Sequence, residues 1–187
     1  MNLSPRKTIS ALFIKRVEQQ KSQIAIGSIK NNNLEFITFE KYYDIVECIY
    51  YGLNKSGLEI DDKVAILSST CKEWHFFDLA NLCSGATVIP LYQTYRNKDI
   101  AYILNHSEAK FLLLENEEQA KKIISIRSEL KFLTSIIILK KLKKSTEVSL
   151  KEKFSLIYYD ELIREGVHLR NDRPGIFREK NLTLDED

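Results

Sequence analysis

Residues 63–95 read KVAILSSTCKEWHFFDLANLCSGATVIPLYQTY, and this stretch limits the possible folds more than any other. Residues 64–67 are an apolar run without alternation, bounded by Asp61 and Asp62 before it and by Ser68, Ser69 and Thr70 after it. That is the pattern of a strand covered on both faces. Phe76, Leu79, Ala80 and Cys83 then recur at helical spacing, with Asp78 and Asn81 marking the wetter side. Gly85 can take the left-handed conformation that ends a helix, and residues 86–91 supply the next strand. Strand, helix and strand on short connections form a right-handed crossover whose two strands run parallel. Ligands collect at the carboxyl ends of such strands, here at Ser68, Ser69 and Thr70. Without a glycine-rich phosphate pattern, however, hydroxyl residues at this position are expected to cap the helix.

The flanking sequence extends the same theme. Thr8 is placed to cap a first helix with an apolar stripe of Ile9, Leu12, Phe13 and Val17. Residues 24–29 and 34–37 flank Asn31, Asn32 and Asn33, and asparagine tolerates positive φ, so a β-hairpin is expected. Thr38 then caps a long helix that buries Tyr42, Ile45, Val46, Ile49 and Leu53 and stops at Gly57. Beyond the central unit, Asn97 is expected to cap a helix with Ile100, Ile103 and Leu104 inward, and residues 111–114 form a third strand. Asn116 and Gln119 have capping-box spacing ahead of Ala120, Ile123 and Ile124, and residues 135–139 form a fourth strand. This alternation predicts an α/β fold: a parallel sheet of about four strands flanked by helices, preceded by a helix and a β-hairpin. From Lys140 the lysines at 140, 141, 143 and 144 open a polar stretch that reads as a solvated loop up to Lys153. Residues 154–159 offer one more strand and 159–166 a short helix. Residues 1–170 are therefore expected to be the folded segment and 171–187 a connector, because Asn171, Asp172, Pro174 and Gly175 break regular structure.

A chain of 187 residues suits one domain with a sizeable core. Its net charge of +2 is nearly balanced and gives no global reason to expect nucleic acid as the partner. Cys48, Cys71 and Cys83 are odd in number and fall in or beside helical stretches, which fits a reducing compartment rather than a disulfide framework. The start, MNLSPRKTIS, lacks the apolar run of a secretory signal, and no segment has the length of a membrane span. The expected setting is the cytoplasm, with at most peripheral membrane contact.

No catalytic set emerges from the residues themselves. Gly52 and Gly57 have P-loop spacing, but Leu58 and Glu59 stand where a lysine and a hydroxyl residue are required, and no two glycines are separated by a single residue as in a dinucleotide fingerprint. Cys71, His75 and Asp78 share a helical face without a second cluster to complete a metal shell. Cys71 reads as structural rather than reactive, and Trp74 as core rather than as a ligand platform. His106 falls at a helix end and His168 in the irregular tail, and no glycine elbow surrounds any serine.

Taken together, Glu73-Trp74, Asp78-Leu79-Ala80, Gly85-Ala86, Pro90-Leu91-Tyr92 and Thr94 resemble the amino-terminal region of long-chain fatty-acid CoA ligases, of the adenylate-forming superfamily. Residues 101–116, AYILNHSEAKFLLLEN, continue the likeness, as do residues 36–39 before the long helix and Gly57-Leu58 after it. The resemblance implies the amino-terminal part of an AMP-binding domain. In the parent reaction ATP and a fatty acid give an acyl-adenylate and pyrophosphate, and CoA then displaces AMP, with magnesium assisting. It also implies that the serine-, threonine- and glycine-rich ATP-phosphate loop with its lysine comes just after a stretch like LTLDED, where this sequence stops. The expectation is thus a segment truncated before that loop and lacking the carboxy-terminal lid. It would be inactive alone, bind no ATP, magnesium or CoA itself, and take the missing remainder of the ligase or a self-copy as partner. No catalytic, cofactor-binding or metal-ligating residue is carried over. The alternative is a non-catalytic α/β interaction or regulatory module. A third reading, nucleotide binding without catalysis, rests on Ser68 to Thr70 alone.

Overall fold

A computed structural model describes residues 8–30 and 32–183. The start of the chain through Lys7, Asn31 of the expected turn, and the acidic ending from Leu184 lie outside these residues. Helix α1, Ile9–Gln20, is capped by the Thr8 hydroxyl, which accepts from the Ala11 amide at 3.2 Å. Its buried side is Phe13, Ile14 and Val17, whereas Ile9 and Leu12 face outward. Strands β1, Ile24–Lys30, and β2, Asn33–Thr38, form an antiparallel hairpin with Asn32 at φ 61° in its turn. Ile26 and Ile37 point into the protein, while Ile29, Leu34 and Phe36 share the outer face.

Helix α2, Phe39–Lys55, starts with the Thr38 hydroxyl accepting from the Lys41 amide and ends at Gly57, whose φ of 91° suits a residue without Cβ. Strand β3, Lys63–Leu67, helix α3, Lys72–Cys83, and strand β4, Thr87–Leu91, make the expected parallel crossover. Gly85 ends α3 at φ 75°. Asn81, expected on the wetter side, is fully buried; its side-chain amide nitrogen donates to the Phe77 carbonyl at 2.7 Å, while its Oδ1 is buried without a hydrogen-bond partner.

The chain continues through α4, Asn97–His106; β5, Phe111–Leu114; α5, Glu117–Ile126; and β6, Ser135–Ile138. Asn116 caps α5 with bonds from the Glu118 and Gln119 amides, as its spacing suggests. Asn97 does not cap α4. Arg96 holds that position, and the Asn97 side chain donates to Ser125 at 2.7 Å. The stretch after Lys140 is not a continuous loop either: Lys144–Lys151 forms α6, anchored by buried Leu150 and by Thr146, whose hydroxyl donates to Glu117 at 2.6 Å. Strand β7, Ser155–Tyr158, completes the sheet, so the about four strands expected become five, all parallel, in the order β4-β3-β5-β6-β7.

Helix α7 runs through Tyr159–Asp172, past the expected stop at 166, and carries His168. Part of the expected connector is helix α8, Ile176–Thr183, because Phe177 gives it a fully buried anchor beneath Tyr43 and Tyr50. Alternate side chains of the strands feed two cores. Val64, Ile66, Leu113 and Ile137 pack with α1, α2, α3, α7 and α8, and Ala65, Leu67, Leu114 and Ile138 pack with α4, α5 and α6. Among the described residues, no helix is long and apolar enough to cross a membrane.

Candidate functional site

Strand β3 passes its chain through α3 to β4 on one side, whereas β5, its other neighbour, leads away through α5 to β6. The winding therefore reverses between β3 and β5, and the carboxyl ends of two such strands enclose a crevice where α/β proteins place ligands. The residue that enters this crevice is Glu115, directly after β5 and only 6% exposed.

Its carboxylate gathers donors from the ends of three other strands. After β3, the Ser69 amide donates to it at 2.8 Å and the Ser69 hydroxyl at 2.7 Å. After β4, the Gln93 side-chain amide donates to the same oxygen, and after β6 the Lys140 ammonium reaches the other oxygen at 2.6 Å. Burial alone would raise the Glu115 carboxyl, but the Lys140 ammonium and the two Ser69 donors outweigh it and hold it down at about 2. The same bond raises Lys140 above the usual lysine value. A second lysine, Lys122, donates to the Gln93 carbonyl. Lys140 and Lys122 are thus both engaged by protein acceptors.

Beside the carboxylate lies an open cleft of about 460 Å³, walled by Trp74, Pro90 and Tyr92 and rimmed by Ser68, Thr70 and Thr94. Trp74 packs against the core with one part of its ring system and lines this cleft with another, so it is neither wholly core nor a free platform. A second opening, about 750 Å³, lies between β1 and the start of α3.

The hydroxyls expected to cap α3 do not do so. Cys71 holds the cap position without a side-chain cap bond, Ser69 is turned to Glu115, and Ser68 donates to the Ser69 carbonyl at 2.9 Å. Burial pushes the Cys71 thiol up, which disfavours the reactive thiolate. His75 is exposed with its ring edge-on to Trp74, and burial raises Asp78 while His75 lowers it. Among the described residues, no group of three or more His, Cys, Asp or Glu side chains is arranged to hold a metal ion. His106 is exposed and stacked on Tyr102, and His168 is exposed on α7, so the three histidines stand on three different helices. The sequence reading missed Glu115, Gln93 and Lys140 as a unit. The one local signal was a carboxylate immediately after the wholly apolar residues 111–114.

A sequence profile described as AMP-binding enzyme matches residues 13–171. The chain is 27% identical over 133 residues to the long-chain-fatty-acid–CoA ligase ACSBG2 of Xenopus laevis, covering 71% of this chain and 18% of that protein. With human ACSBG2 it shares 30% over 131 residues, covering 70% of this chain and 20% of that one. The chain therefore spans about a fifth of the length of these relatives. Among solved structures, the anthranilate CoA ligase AuaEII in complex with anthranoyl-AMP superposes with a TM-score of 0.71 at 17% identity, over 87% of this chain and 29% of that one.

Proposed function

The chain belongs to the AMP-binding enzyme family, and on that premise we propose that it is the amino-terminal part of the adenylation domain of a long-chain fatty-acid–CoA ligase, inactive by itself. The observation that carries this reading is the likeness to long-chain ligases across most of this chain but only a fifth of theirs. In the parent reaction, a fatty acid and ATP give an acyl-adenylate and pyrophosphate, and CoA then displaces AMP. Building up charge on the α-phosphate requires cationic and amide donors aimed at it. At the sheet edge Lys140 and Lys122 are held by Glu115 and the Gln93 carbonyl, which supports the reading that such donors come from elsewhere in the parent. In this reading ATP, magnesium and CoA bind in the parent through residues outside this stretch. What residues 1–187 contribute is a rigid parallel sheet and its two helical layers, in the cytoplasm.

The test is fatty-acid-dependent exchange of pyrophosphate into ATP by purified residues 1–187. The expected result is no exchange above a protein-free control; sustained exchange that depends on fatty acid refutes the reading. One observation favours a second function, an interaction module: Ile29, Leu34 and Phe36 are 75%, 65% and 57% exposed on the outer hairpin face. A module of that kind melts cooperatively as a monodisperse monomer, whereas a piece of a larger domain self-associates.

A further inference from the structure

We propose that the crevice between β3 and β5 is an anion seat that the protein fills from within, with the Glu115 carboxylate as its resident ligand, and that this closes the edge of the sheet to phosphate. The position is the one at which a doubly wound sheet receives an external anion. The donor set is also of that kind: a backbone amide and hydroxyl from Ser69, a side-chain amide from Gln93 and an ammonium from Lys140. All of them converge on one side-chain carboxylate, which is 8% exposed, while the Lys140 side chain that balances it is 65% exposed.

The negative charge is therefore the buried partner and the positive charge the accessible one. A phosphate approaching Lys140 meets a carboxylate that already holds the ammonium, and both Ser69 donors are spent. Like charges so close repel, and the surroundings screen them weakly. Ser69, in the stretch that by sequence alone suggests a nucleotide-binding strand end, is thereby turned to an internal ligand. This proposal does not depend on which acid the parent enzyme activates.

The experiment uses two small anions and one substitution. In E115A the seat is vacated, and the expected result is a melting temperature below that of the wild type that climbs with the logarithm of sodium formate concentration, while sodium chloride at equal ionic strength has no such effect. Wild-type protein shows no difference between the two salts. Formate acting no better than chloride on E115A overturns the proposal, and so does an E115A protein that folds equally well in either salt. A second arm needs only the wild type: inorganic phosphate, titrated while the Ser69 amide resonance is followed, leaves that resonance in place. A saturable shift of the Ser69 amide in wild-type protein refutes the internal ligand even where E115A cannot be obtained folded.

Discussion

Helix α7 crosses α2 at two glycines, and this crossing gives the most demanding prediction. A Cβ at Gly166 would lie 1.8 Å from the Cys48 carbonyl oxygen, and one at Gly52 would lie 2.5 Å from the Leu162 carbonyl oxygen. The ordinary limit for such contacts is near 3.4 Å, so alanine at 166 forces the helices apart locally by ~1.6 Å. The obstacle is backbone within a helix, which cannot rotate aside as a side chain can. Overpacking of this kind costs about 1–3 kcal/mol, and parting the helices loosens fully buried Leu162 as well. Against this, alanine gains about 1 kcal/mol over glycine in helix propensity. The 1.8 Å approach to backbone places the cost at the upper end of that range, so the balance for Gly166→Ala is a loss of about 2 kcal/mol, a fall in melting temperature of ~4–8 °C for a chain of this size. Urea unfolding followed by the fluorescence of Trp74, the sole tryptophan, measures it. Gly57→Ala is the control: a Cβ there meets nothing within 4 Å, and the substitution carries only the left-handed backbone cost of about 1–2 kcal/mol. A Gly166→Ala protein as stable as the wild type, or more so, would mean that propensity alone decides and that the helices do not meet at this glycine.

Replacing Glu115 by Gln removes an ionised acceptor from buried donors and costs about 1–3 kcal/mol at neutral pH. Because the folded carboxyl lies at about 2 against an ordinary 4.5, its stabilisation is complete above 4.5 and fades as pH falls towards 2. Acid unfolding of E115Q should accordingly lack that part of the wild-type pH dependence; identical acid profiles would contradict it. Phe177→Ala empties a fully buried site between Tyr43 and Tyr50, costs about 3–5 kcal/mol and should expose α8 to limited proteolysis before the sheet unfolds. Asn116→Ala removes the α5 cap at a cost of about 1 kcal/mol, read by thermal melting. Ile29→Ser with Phe36→Ser should lower binding of an apolar dye and self-association seen by light scattering, with a change in stability within about 0.5 kcal/mol.

The sheet was legible because residues 64–67 and 111–114 are apolar without interruption, and burial on both faces of a parallel strand demands that composition. Thr8, Thr38 and Asn116 declare their helices for an equally local reason, a side-chain oxygen within reach of amides three residues ahead. Helix α6 was hidden by its lysines: they face solvent, and its two tethers, Thr146 and the Lys143 amide, both end on Glu117, 29 and 26 residues earlier. Helix α8 was hidden behind the break at Pro174 and Gly175, since one aromatic anchor, Phe177, makes no periodic pattern. The Glu115 seat was illegible for the strongest reason. Its partners lie 46, 22 and 25 residues away, and only the strand order brings them to one place.

The joining of α7 to α2 also sets a clock on biosynthesis. The Tyr51 hydroxyl donates to the Arg173 carbonyl, 122 residues later in the chain. A ribosome adding ~5–20 residues per second needs on the order of 10 s to cover that distance. Throughout that interval α2 has emerged, with its inner face bare on the α7 side, and the half-built polypeptide presents apolar surface to whatever waits at the tunnel exit.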